Sequence, residues 1–171
     1  MRRLGLMALI STAACLALAT PVAAQPDASL NREVTGPFTG TESFDFETGG
    51  CSLPPDTSPT HFVFDAMYQP DRPGSGSFHI DACAAEVFPR LFELEGSFHV
   101  TTRTGATLTG TVVGDFQEDV GLAGLHFMLT ATAGTRRFQH VIGTITLNGV
   151  WTFSQPPGNA ISGTLSGSLQ R

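Results

Sequence analysis

The sequence predicts an all-β protein, an antiparallel closed β-barrel of about eight strands. Three observations predict it. Gly, Ser and Thr alternate with large apolar residues in Thr107-Leu-Thr-Gly-Thr-Val-Val-Gly114, Gly143-Thr-Ile-Thr-Leu-Asn-Gly149 and Ile161-Ser-Gly-Thr-Leu-Ser-Gly-Ser-Leu169. Period-2 alternation buries one face of a strand and wets the other. Glycine recurs on the apolar side, which suits a strongly curved sheet. No segment keeps a helical period over three turns. Closure also removes the open edges that long alternating strands would otherwise present.

The elements follow in order. From Val34 to Phe46 the even positions carry Val34, Phe38, Phe44 and Phe46, with Gly36, Gly40 and one acid, Glu42. Residues 49–59 hold three prolines and predict a loop. His61 to Gln69 alternates again, with Phe62, Phe64, Ala66 and Tyr68 on one face. Pro70 to Gly76 is turn chemistry. Phe78, Ile80 and Ala82 begin a strand that runs into Cys83, and Ala84 to Arg90, with Pro89, predicts a connection. Phe92 to Thr101 is a further strand. Ala106 to Gly114 is another, followed by a loop over Asp115 to Gly124. Phe127 to Thr132 alternates. Val141 to Leu147 and Gly149 to Phe153 are two strands around an Asn148-Gly149 hairpin, or one strand bent there. A turn over Pro156 to Asn159 precedes the last strand.

Residues 1–24 read as a secretory signal. Arg2 and Arg3 lead an apolar run from Leu4 to Ala19, and Val22-Ala-Ala24 offers small residues before a cut. The run is short for a membrane span. Residues 25–33 form a polar leader and residues 34–171 a single barrel domain. Removing the signal takes the net charge from −6 to −8, and lysine is absent. An acidic chain with no basic cluster is a poor partner for nucleic acid or anionic membranes, and no stable membrane insertion is expected after cleavage. Export also removes Cys15. The remaining Cys51 and Cys83 read as one disulfide, since two thiols lack the other ligands of a structural zinc site. The expected location is extracellular.

The phrase Ala133-Gly-Thr-Arg-Arg-Phe-Gln-His-Val-Ile-Gly-Thr-Ile-Thr-Leu147, with Gly149-Val-Trp-Thr-Phe153, resembles the Gly-Thr-Gly-Arg-Phe…Gly-Ala-Thr-Gly-Thr signature of the allene oxide cyclase and dirigent barrel superfamily. Together with Gly96-Ser-Phe-His-Val-Thr-Thr-Arg-Thr-Gly-Ala-Thr-Leu-Thr-Gly-Thr111 it is similar to small secreted members of that superfamily from high-GC bacteria. The resemblance covers most of residues 34–171. It implies a calycin-like barrel with a central cavity, which the plant relatives use to hold an apolar reactive molecule. Arg136 stands where the signature usually has its second Gly.

Glu42 is the first candidate residue, because alternation places its carboxylate inside the barrel. A buried unpaired charge is costly, so such a group is paired or has a raised pKa. A raised pKa suits general acid–base work; a pair with Arg136 or Arg137 is structural. Tyr68 and Trp151 also lie on apolar faces. They are ligand-orienting residues or ordinary core aromatics with satisfied polar tips. His79 and His99 both follow Ser-Phe, and alternation turns both outward without a convergent third ligand. No metal site and no cofactor is therefore expected.

These features predict a secreted small barrel that binds an apolar small molecule or a surface partner, with Glu42, Tyr68, Trp151 and Arg136 as candidate ligand residues. A cyclase or isomerase acting through Glu42 inside the cavity is the alternative. A cell-surface interaction module, working through the Ser/Thr-rich outer face, is a third reading.

Overall fold

Eight strands form, each antiparallel to the next in sequence, and the last closes on the first. They are β1 (Arg32–Asp45), β2 (Thr60–Tyr68), β3 (Gly76–Phe88), β4 (Leu91–Thr102), β5 (Thr107–Asp119), β6 (Leu122–Gly134), β7 (Ile142–Thr152) and β8 (Asn159–Gln170). The only helical turn among the described residues is a 3-10 turn at Arg136–Phe138. The computed structural model describes residues 31–45, 51, 60–69, 75–153 and 159–171. The expected signal segment, most of the 49–59 loop, the tip of the 70–76 turn and most of the 156–159 turn lie outside the described residues.

Alternation predicts the faces well. Phe38 and Glu42 are buried on β1 while Thr39 and Thr41 are exposed. On β8, Ile161, Leu165 and Leu169 point inward, and Ser162, Thr164 and Ser166 are exposed. His79 and His99 lie outward, paired across β3 and β4.

Three boundaries differ from the sequence expectation. β1 starts at Arg32, inside the expected leader, because Arg32 and Glu33 extend the ladder opposite Leu169 and Ser168. β3 runs on to Phe88, so residues 84–88 are strand; the turn is only Pro89-Arg90, with Arg90 at φ 65°. The loop expected over 115–124 is instead the end of β5, a tight turn at Val120-Gly121 and the start of β6. Its acids sit on a strand whose inward residues continue through Phe116. Of the two readings of residues 141–153, the single strand forms: Asn148-Gly149 lies within β7, where Gly149 pairs with Gly163 of β8. A favoured hairpin dipeptide is overridden there by ladder pairing on both sides.

The inward glycines serve as seats for aromatic rings. Phe38 pairs directly with Gly163, Phe98 with Gly110, and Phe127 with Gly114. A Cβ on Gly163 would stand 2.7 Å from the Phe38 ring, and one on Gly110 would stand 2.7 Å from that of Phe98. Large and small residues thus alternate across neighbouring strands, which lets each ring pack against the strand beside it.

The filling is uneven along the barrel axis. At one end Phe62, Phe116, Phe127 and Trp151 form an aromatic plug, with centroids 5.7–6.4 Å apart. Phe92 stacks on Phe116 at 4.7 Å. In the middle, Phe38, Phe64 and Phe78 make an edge-to-face trio at 5.1–5.9 Å. Toward the other end the inward residues are mostly aliphatic, such as Val100, Leu108, Leu129 and Ile145, with Tyr68 and Phe138 among them.

Cys51 and Cys83 form the expected disulfide, with Cα atoms 5.5 Å apart. It ties the β1–β2 connection to the outer face of β3 near the plugged end.

Candidate functional site: a cavity at the aliphatic end

The aliphatic end holds a cavity of about 940 Å³. That falls in the roughly 300–1,000 Å³ range of small-molecule sites. Its walls include Val100, Leu108, Leu129, Ile145 and Leu165, and Phe78 of the aromatic trio contributes below them. Arg32, Glu33, Arg137 and Arg171 stand at the rim. Tyr68 is the one phenol in the lining and is only 8% exposed.

The rim is built by the β6–β7 connection. The Thr135 N–H donates to the Thr107 carbonyl at 2.9 Å, and the two threonine hydroxyls lie 2.8 Å apart. The Phe138 N–H donates to the Thr135 carbonyl, closing the 3-10 turn. Phe138 packs over Gly134, where a Cβ would stand 2.7 Å from its own. Arg137 lies over the Phe138 ring, 5.0 Å from its centroid, and so is held at the cavity edge.

Arg136, expected as a ligand residue, is not part of the lining. Its φ of 54° is the left-handed conformation that glycine favours, at the position where the resembling signature has Gly. The side chain turns away from the cavity, and Nη1 donates to the Thr104 carbonyl at 2.7 Å. It pins the connection to the β4–β5 turn, and the next residue, Arg137, faces the cavity instead.

Glu42 is buried and inward as expected, at 4% exposure, but outside the cavity. It sits in register with Phe64 of β2 and Asn159 of β8, four positions along β1 from the Phe38–Tyr68 pair. That spacing is about 13 Å at strand rise. The expected partners Arg136, Arg137 and Tyr68 are therefore at the other end. Trp151, 1% exposed, belongs to the aromatic plug. Of the four candidates, the structure brings only Tyr68 to the cavity.

Sequence reasoning misses two rim residues as cavity residues. Arg32 shares the even face of β1 with Val34 and Phe38, so extending the alternation by one step finds it. Arg137 enters the sequence reading only as a partner of Glu42, because a turn without periodicity does not show which way it faces.

Burial raises the Tyr68 hydroxyl above the ordinary phenol pKa of about 10, against a smaller opposing pull from Arg137 and then Arg32. The phenol is thus a neutral donor at physiological pH. A group that is neutral when protonated and ionises later in the fold contributes its full stabilisation below about pH 10. That contribution is lost as pH rises through the folded pKa. Tyr68 is the only tyrosine in the chain. Absorbance titration at 295 nm should therefore give one phenol midpoint, above 10 in the native protein and near 10 in denaturant. A native midpoint at or below the denatured one would contradict the burial.

Two of the outer histidines are engaged across strands. His61 meets Asp81 at 2.8 Å, and His79 meets Asp65 at 2.8 Å. Among the described residues no group of three or more His, Cys, Asp and Glu is placed to hold a metal ion, and no helix is long and apolar enough to cross a membrane. Comparison with protein-family models and with curated proteins returns no match.

Proposed function

We propose that this protein is an exported barrel that binds one apolar small molecule in the cavity at its aliphatic end. The half-filled interior carries this reading. A barrel of this strand number either packs itself full or holds a small ligand. Here aromatic residues pack one half, and aliphatic walls leave the other open around about 940 Å³. The Cys51–Cys83 bridge is consistent with export, since such bonds persist outside the reducing cytosol. The likeness to the allene oxide cyclase and dirigent superfamily belongs to the same proposal, and the closed eight-stranded antiparallel barrel supports it. Glu42 lies away from the cavity, which favours binding over a cyclase acting through that carboxylate.

The neutral fluorophore N-phenyl-1-naphthylamine tests the reading. It should bind saturably, one per chain, with a blue-shifted and enhanced emission. Val100→Trp adds bulk to the cavity wall and should abolish this binding while the far-ultraviolet circular dichroism stays that of the native barrel. No saturable binding to the native protein, or equal binding to the variant, would overturn the proposal.

A further inference from the structure

The cavity is apolar inside and cationic at its rim, in a chain that is acidic overall. The described arginines are distributed unevenly along the barrel. Arg32, Arg137 and Arg171 line the mouth, and the strand ends and turns there also carry Arg103 and Arg136. Glu33 is the one acid in the lining. The opposite end carries Glu86, Glu93, Asp115, Glu118 and Asp119, with Arg90 alone of the described arginines. A fixed separation of this kind directs anions toward the mouth.

The mouth also has a donor set. Arg137 is held over Phe138, and Arg32, on the even face of β1, lines the same cavity as Arg137 and Tyr68. Guanidinium groups bind carboxylate, sulfonate or phosphate oxygens through paired N–H donors, and a buried neutral phenol adds a further one.

We propose that the ligand is an amphiphilic anion, its apolar body in the cavity and its single anionic head at the mouth between Arg137, Arg32 and the Tyr68 hydroxyl. This rests on the binding reading above and names the class of ligand. An uncharged apolar molecule would fill the walls equally well but leave the guanidinium groups to water.

Two probes share an aromatic skeleton and differ by one sulfonate: 1-anilinonaphthalene-8-sulfonate and N-phenyl-1-naphthylamine. The full chain should bind the sulfonate more tightly at low salt, and the preference should shrink as salt is raised. Arg137→Gln should weaken the sulfonate about tenfold, as expected for a lost charge-assisted hydrogen bond, and weaken the neutral probe far less. Arg103→Gln, in the same end but outside the lining, should leave both unchanged. Equal affinity of the native protein for the two probes, or equal loss of both in Arg137→Gln, would overturn the anionic head while leaving an apolar binding barrel. Binding of neither probe would overturn both readings.

Discussion

Serine at both Cys51 and Cys83 should lower the unfolding free energy by about 3–4 kcal/mol. The bridge joins residues 32 apart in sequence. Closing a loop of that length removes chain entropy from the unfolded state of about that size. The connection it anchors, residues 46–59, is long for a hairpin and enters β2 beside the aromatic plug. Urea unfolding followed by the emission of Trp151, the only tryptophan, measures the change. The same loss should appear when the native protein is unfolded with reductant present. Equal midpoints for the bridged and serine proteins would mean that the strand ladder alone fixes the connection. The probe-binding cavity lies at the opposite end, so binding should survive in the serine protein wherever it remains folded.

The strand faces were legible in the sequence because they depend only on neighbours in the chain. Period-2 alternation places Glu42 and Phe38 inward and Ser162 outward with no knowledge of pairing. Connections were less legible. Asp115 to Asp119 looks like loop by composition, yet Asp115 and Asp119 sit on the outer face of β5 while Phe116 continues the inner one. Asn148-Gly149 looks like a hairpin, yet its glycine faces Gly163 within a continuous ladder. In both cases local preference loses to pairing with both neighbouring strands.

The site was legible in part. Tyr68 emerges from its face alone, but grouping it with Glu42 and Trp151 requires knowing the height of each along the barrel. Height is set by strand stagger, which a single sequence does not encode. The contrast between a ring-filled and an aliphatic half is hidden for the same reason. Phe62 and Tyr68 lie on one strand but face opposite ends of the interior, and only the register pairs Phe62 with Phe44 and Tyr68 with Phe38.

Gly110→Ala should destabilise the barrel by about 2–3 kcal/mol, although it adds a single methyl group. Gly110 pairs with Phe98 on β4 beside a shift in the β5–β6 register. A Cβ there would overlap the carbonyl oxygen of Thr130 and press the Phe98 ring at 2.7 Å. A ring can rotate away, but a carbonyl fixed in the sheet moves only with its strand, so the cost is in backbone displacement. Gly124→Ala on β6 provides the comparison. No atom lies within 4 Å of a Cβ at Gly124, which is exposed and not at a positive φ. Alanine there narrows the unfolded ensemble and should stabilise by about 0.4–1 kcal/mol. The two substitutions are chemically identical, so any general effect of replacing glycine in a strand cancels between them. Thermal or urea unfolding of both proteins measures the difference. Similar stability changes in the two would show that Gly110 is not a steric seat, and that the pairing of large rings with glycine does not set the packing of this barrel.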